Sequence, residues 1–188
     1  ALGAGALAAS FAAFSQEVKK SVVVGVLRSS DRLSSQDRIN AFKRGLQELG
    51  YIEGKNLTVH LFFSDGKAER LAALAEELVK LKVDIIMAAD TPSTQAAQRA
   101  TKVIPIVIGT ATDPVANGLV SSLAHPGGNI TGLSNMSTDT SPKRLELLVA
   151  IAPKISRVAV LLNSSNPATR AQQKSVEEAN KRVGLKLL

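Results

Sequence analysis

Short apolar segments rich in valine and isoleucine alternate along the chain with longer segments that are apolar on one side only. The stretch SVVVGVL at 21–27 is typical of a buried strand, because β-branched side chains suit a pleated surface. The stretch KAERLAALAEELVKLK at 67–82 places leucines on one face of a helix. The same patterns predict strands at 21–27, 57–63, 83–89, 103–109, within 126–134, at 157–163 and at 185–188. They predict helices at 34–50, 67–82, 91–101, 113–125, 141–153 and 166–184.

This strict alternation determines the predicted fold class, which is α/β. Strands separated by helices pair in parallel through right-handed crossovers. The strands read as nearly continuous apolar runs, so we expect helices on both faces of the parallel sheet. In such sheets ligands bind outside the carboxyl ends of the strands.

The residues that follow the predicted strands are mostly Ser, Thr, Asn and Asp. These strand ends are 28–31, 63–65, 89–93, 110–113, 135–137 and 163–166. Hydroxyl groups and helix N-terminal amides bind a carboxylate or another small anion without reacting with it, and an Asp side chain can hold an ammonium group. The set therefore indicates a site for a small zwitterion, with few general bases available for catalysis.

Several of these residues also have a purely structural interpretation. Asp113 precedes Pro114, and Thr91 precedes Pro92, so each is a candidate N-cap with proline in the first turn. Asn163 is equally a candidate loop residue ahead of the helix at 166–184. A cap and a ligand contact both use a helix N-terminus, so Asp113 can serve as cap, as ligand seat or as both.

Composition narrows the possible chemistry. The chain has no Cys and two His, which excludes thiolate sites and disulfides and argues against a multi-histidine metal site. It lacks a Gly-rich phosphate loop and a GxSxG nucleophile motif, and we expect no cofactor and no metal. The net charge of +7 comes from Lys and Arg spread along the chain. This pattern indicates a solvated basic surface rather than nucleic-acid binding.

The first fifteen residues, ALGAGALAASFAAFS, are small, apolar and uncharged. They are too short to span a bilayer and resemble the apolar core and cleavage region of a secretory signal. We expect residues 1–15 to be the remnant of such a signal, with cleavage after Ser15 and a free periplasmic protein as the product. A disordered or helical N-terminal tail is the alternative.

Four segments together resemble a known family. The motifs YIEGKN, DPV, HPGGNITG and LNSSNP occur in the order and spacing of the ABC-transporter substrate-binding proteins of the tryptophan/tyrosine-type family. The resemblance runs from about Ser21 to the last residue. It implies the type 1 periplasmic-binding-protein fold, with a first α/β lobe at 21–134 and the incomplete start of a second lobe at 135–188, so that the chain reads as truncated.

The resemblance also implies where the ligand binds. Characterised relatives bind aromatic amino acids. This sequence has almost no aromatic residues near its predicted strand ends, where Phe63 is the nearest, and so it does not itself support stacking on an aromatic ligand. The matching positions in this sequence are Ser29, Ser30, Thr91, Pro92, Ser93, Thr112, Asp113, Asn135, Met136, Ser137 and Asn163.

The function implied is that of an extracytoplasmic solute-binding protein of an ABC importer. It would bind a small amino-acid-like ligand between two lobes and deliver it to a membrane permease, as a monomer and without catalysis. A ligand-sensing domain on the same fold is one alternative. An α/β hydrolase-like enzyme is another, and it would need a His or Glu near Ser29, Ser93 or Ser137.

Overall fold

The structure is a computed structural model that describes residues 21–188 except 165 and 167. The predicted signal remnant at 1–15 lies outside the described residues. The strands are β1 (Val22–Arg28), β2 (Leu57–Phe63), β3 (Ile85–Ala88), β4 (Ile106–Thr112), β5 (Ile130–Asn135), β6 (Arg157–Val158) and β7 (Lys186–Leu187). The helices are α1 (Arg32–Glu48), α2 (Arg70–Lys80), α3 (Thr91–Ala100), α4 (Ser137–Ile151) and α5 (Ala168–Val183).

The first five strands form one sheet in the order β2-β1-β3-β4-β5, and every neighbouring pair is parallel. This confirms the predicted α/β class. Strands β2 and β3 lie on opposite sides of β1, so the order in which strands are added to the sheet reverses direction at β1. Strands β6 and β7 form a separate two-stranded parallel sheet.

Helices cover both faces of the five-stranded sheet, as the apolar strands predicted. On one face, α2 and α3 pack through Leu78 and Ala97 against Leu27, Ile86 and Ile106, all of them fully buried. On the opposite face, α1 packs through its apolar side, including Phe42 and Leu46, against alternate residues of β1. The two faces of β1 therefore bury two separate clusters, in keeping with the period of two of a strand.

The predicted helix at 113–125 is wrong. This segment forms turns that start at Asp113, whose φ of 43° is left-handed, and pass through Gly118, whose φ is 65°. The side-chain amide of Asn117 donates to the carbonyls of Thr112 and Asp113, at 2.8 and 3.1 Å. Local side-chain bonds of this kind compete with a helix, and the left-handed residues end it. Asp113 is therefore not a helix cap.

The strand predicted at 157–163 is much shorter in the structure, where only Arg157 and Val158 pair with β7. Leu161 is fully exposed to solvent. Beyond these two residues the Val160 N–H donates to the Leu188 carbonyl at 3.0 Å, but the segment does not continue as a strand. Within the described ranges no helix has the length and apolar content needed to cross a membrane.

Candidate functional site

Asp90 connects the ends of two strands at the carboxyl edge of the sheet. It follows β3, and its Oδ2 accepts hydrogen bonds from the backbone N–H and the hydroxyl of Ser29, at 3.1 and 2.8 Å. Its Oδ1 accepts from the backbone N–H and the hydroxyl of Ser93, at 3.0 and 2.7 Å. One carboxylate thus fixes the loop after β1 against the first turn of α3.

Asp90, rather than Thr91, is the N-cap of α3, which corrects one sequence interpretation. Its backbone is extended, its side chain accepts from Ser93 N–H, and Pro92 lies in the first turn. The Thr91 hydroxyl instead accepts a hydrogen bond from the Thr112 N–H at 3.0 Å, which holds α3 against the end of β4. Thr91 and Ser93 are buried, so their hydroxyls are engaged within the protein.

A small cavity of about 100 Å³ lies beside Asp90. Its polar lining consists of Ser29, Ser64, Asp90, Asn163 and Asn166, and Pro92 forms part of its wall. The Ser64 hydroxyl donates to the carbonyl of Ser29 at 3.0 Å, so the end of β2 also supports this wall. The cavity therefore brings together three of the predicted site residues, Ser29, Pro92 and Asn163.

A larger cavity of about 410 Å³ lies beneath α1, and Asp90 borders it as well. Its apolar lining includes Val26, Ile39, Phe42 and Met87. Its polar lining consists of Arg28, Ser30, Arg38, Asp90 and Thr110. Ser30 is the one predicted site residue here, and its hydroxyl is 2.8 Å from that of Ser35. We call this space the α1 cavity.

Arg28 and Phe42 are among the residues of the α1 cavity that sequence analysis did not predict as site residues. Arg28 is only 9% exposed, and its Nε donates to the hydroxyls of Ser35 and Ser30, at 3.0 and 3.4 Å. Burial lowers the pKa of Arg28 from its ordinary value, although the nearby Asp90 charge acts in the opposite direction. Phe42 lies in the predicted helix at 34–50, where its spacing from Ile39 and Leu46 indicates a core position. Side chains alternate between the two faces of a strand, so Arg28 shares a face with Val24 and Val26. This was the sequence signal that could have identified Arg28.

Phe63, the aromatic residue nearest the predicted strand ends, lines neither cavity. The Arg32 guanidinium lies 5.0 Å from the centre of its ring, which is a cation–π contact. The aromatic residue that shares a cavity with Asp90 is Phe42 of α1, which comes from a helix rather than from a strand end.

The remaining predicted residues lie at the β4–β5 end of the same sheet edge and line neither cavity. Thr112 and Asn135 are opposite each other in the register, and the Asp113 N–H donates to the Asn135 carbonyl at 3.1 Å. Met136 Sδ is 3.3 Å from the Ser134 hydroxyl. Ser137 is buried, and its hydroxyl is 3.5 Å from the Gln172 side-chain amide. The structure thus divides the predicted site into two groups.

Comparison with known proteins identifies a family. The sequence profile of the family described as ABC transporter substrate binding protein matches residues 22–188. A curated relative from Clostridioides difficile, named tyrosine-binding protein, is 34% identical over 165 residues, which cover 87% of this chain and 47% of the relative. The chain therefore spans about half the length of this relative.

Two solved structures are similar over most of the chain. A conserved domain protein from Vibrio cholerae is 30% identical with a TM-score of 0.81, over 90% of this chain and 56% of that protein. The ABC domain in complex with L-Trp from Streptococcus pneumoniae is 27% identical with a TM-score of 0.77, over the same shares of the two chains. The architecture is that of the type 1 periplasmic-binding-protein fold.

Proposed function

The chain belongs to the family of ABC transporter substrate-binding proteins, and on this basis we propose that it is an extracytoplasmic solute-binding protein of an importer. It binds a small amino-acid-like ligand at the carboxyl edge of its five-stranded sheet and delivers it to a membrane permease. The observation that carries this proposal is the Asp90 network, which fixes the loop after β1 and the first turn of α3 around two adjoining cavities.

The lining of these cavities supports binding rather than catalysis. The small cavity offers hydroxyl and amide groups, while the α1 cavity adds guanidinium groups and an apolar wall. Such groups recognise the carboxylate and the side chain of an amino acid without supplying a nucleophile and base pair. The relatives that carry tyrosine and tryptophan in their names make aromatic amino acids the first ligands to test.

The predicted site residues take two roles in this proposal. Ser29, Ser30, Pro92 and Asn163 border the cavities and contact the ligand. Thr91 and Ser93 are buried and position the loop and α3. The other five predicted residues line neither cavity and contact the ligand from the β4–β5 end of the sheet edge. They are Thr112, Asp113, Asn135, Met136 and Ser137.

We further propose that binding works by closure of two lobes, one containing residues 21–134 and the other containing residues 135–188. The small cavity supports this, because Ser29 and Pro92 come from the first range while Asn163 and Asn166 come from the second. A ligand that contacts both ranges favours the closed form by its differential affinity, and the permease distinguishes closed from open. Export by the signal remnant at 1–15, a periplasmic location and a monomeric state complete the proposal.

A thermal-shift panel tests the proposed function. The mature full-length protein, shown to be folded and ligand-free, is heated with each amino acid and with small organic acids. A ligand at 100 times its dissociation constant adds about 2.7 kcal/mol to the free energy of unfolding. We expect a strong shift with tyrosine, tryptophan or a related compound. No shift with any compound of the panel would contradict the proposal.

A pair of variants tests the position of the site. Asn163→Ala removes an amide from the small cavity and should weaken binding of the compound that gives the shift. Asn40→Ala is the matched control, because Asn40 is an exposed residue of α1 that accepts a hydrogen bond from Gln36 and lines neither cavity. Equal affinity of the two variants would place the ligand elsewhere.

A further inference from the structure

A further cavity, of about 330 Å³, lies between α3 and α5. On one side it is lined by Gln95 and Arg99 of α3, and on the other by Ser164 and by Arg170 of α5. We call this space the α3–α5 cavity. Its lining thus comes from both of the ranges 21–134 and 135–188. It shares three further lining residues with the small cavity, which are Ala68, Leu71 and Pro92.

The charged groups of the α3–α5 cavity are all cations. Arg99 and Arg170 supply two guanidinium groups, and the described lining contains no Asp or Glu. Both arginines are exposed, and neither side chain makes a hydrogen bond or an ion pair with the residues that the structure describes. Gln95 and Ser164 add an amide and a hydroxyl as further donors. Asp90 lines the small cavity but not this one, so no carboxylate competes for these groups.

Three helices begin beside this cavity. Leu71, Pro92 and Arg170 line it, and they lie in the first turns of α2, α3 and α5. The N-terminal end of a helix carries a partial positive charge that favours anions. The first turns of all three helices contain no acidic residue. Arg170 therefore lies where the dipole of α5 disfavours a cation, and an anion beside it would offset both charges.

We infer that the α3–α5 cavity binds a small oxyanion of the phosphate class between Arg99 and Arg170. A guanidinium group holds two oxygens of such an anion through paired hydrogen bonds, and two guanidinium groups balance the charge of a dianion. Because α3 belongs to the range 21–134 and α5 to the range 135–188, the bound anion links the two ranges. This site goes beyond the proposed function, since it holds an anion in addition to the ligand proposed for the other two cavities.

Isothermal titration calorimetry with inorganic phosphate tests the inference. The sample is the full-length protein, free of ligand and in a phosphate-free buffer of low ionic strength. We expect phosphate to bind in a saturable manner and chloride, titrated over the same range of ionic strength, to show no saturable binding. General screening of surface charge depends on ionic strength, so it would not distinguish the two anions in this way.

A pair of variants, one on each side of the cavity, tests the position of the anion. Arg99→Gln and Arg170→Gln should each weaken phosphate binding by at least about 3-fold. Arg44→Gln is the matched control, because it removes an exposed cation of α1 that lies outside the cavity, and it should change the affinity by less than about 2-fold. None of the three side chains makes a hydrogen bond or an ion pair with described residues, so circular dichroism should show the wild-type fold for each variant.

Several results would overturn the inference. One is the absence of saturable phosphate binding by the wild type, and another is chloride binding of equal strength. An equal loss of affinity in all three variants would indicate general attraction to a basic surface. Phosphate binding that only one of the cavity variants weakens, or neither, would exclude a site formed by both arginines. The amino-acid panel is run without phosphate, so its result reports on the proposed function independently.

Discussion

Ser29 and Asp90 are 61 residues apart in the chain, yet the Ser29 hydroxyl and N–H both donate to one oxygen of the Asp90 carboxylate, at 2.8 and 3.1 Å. The other oxygen caps α3 through Ser93. The Asp90 side chain therefore fixes the loop after β1 and caps α3, at the sheet edge where both cavities lie. In the proposed function Asp90 holds the binding surface in place, so its loss should lower both the stability of the protein and its affinity for the ligand.

Replacing Asp90 by alanine should destabilise the protein strongly. The change removes an N-cap and leaves the buried Ser93 N–H and hydroxyl without their acceptor. We expect the free energy of unfolding to fall by about 3 kcal/mol, measured by urea denaturation. A loss below about 1 kcal/mol would mean that the carboxylate does not join the two elements.

Asp31→Ala is the matched control for that measurement. Asp31 is also an N-cap, since it accepts from the Ser34 N–H at 2.9 Å at the start of α1, but it is exposed and connects no second strand end. Its replacement should cost clearly less than that of Asp90. Similar losses for the two variants would show that capping alone explains the Asp90 effect.

Asp31 also predicts a dependence of stability on pH. The hydrogen bonds from the Ser34 side chain and backbone hold the pKa of Asp31 below its ordinary value. Because the folded-state pKa is the lower one, ionised Asp31 stabilises the protein above the unfolded pKa, and this contribution disappears as the pH falls through the folded pKa. Asp31→Asn keeps a capping oxygen but cannot titrate. The stability difference between wild type and Asp31→Asn should therefore narrow when urea denaturation is repeated at about pH 3 instead of about pH 7. A difference that widens in acid would contradict this assignment.

Gly132 of β5 should not tolerate a side chain. It lies opposite Ile108 in the register with a φ of 137°, and an added Cβ would lie 2.8 Å from Ile108 Cα and closer still to its neighbouring backbone atoms. We expect Gly132→Ala to lower the free energy of unfolding by about 3 kcal/mol. Thermal or urea unfolding measures this directly.

Gly45 of α1 offers the opposite case for comparison. A Cβ at Gly45 meets no atom within 4 Å, and the residue lies inside a helix. Gly45→Ala should raise stability by about 0.5–1 kcal/mol, because alanine is the better helix former. If both alanine variants were equally destabilised, the close approach of β4 and β5 at Gly132 would not be the cause.

Regular periodicity accounts for the parts of the fold that the sequence predicts well. The strand at 57–63 has the predicted bounds, and α1 and α2 begin and end within a few residues of prediction. The parallel sheet follows from alternation of strands and helices. These features depend on patterns that are repeated over many residues.

Particular residues explain why the predicted helix at 113–125 does not form. At 113–125 the apolar spacing is compatible with a helix, but Asp113 and Gly118 are left-handed and Asn117 takes nearby carbonyls. The α1 cavity was also missed, because alternation shows that Arg28 shares a face with Val26 but not that α1 leaves space above β3 and β4. Such gaps arise from packing between elements, which a one-dimensional pattern does not contain.

The central claim is that a small ligand binds at the carboxyl edge of the sheet beside Asp90. The most direct test is a crystal structure of the full-length protein grown with the compound that gives the largest thermal shift. Electron density for that compound should contact the loop after β1 at Ser29 or Ser30 and the first turn of α3 at Pro92. Density for the compound away from this edge, with the cavities beside Asp90 holding only solvent, would contradict the claim.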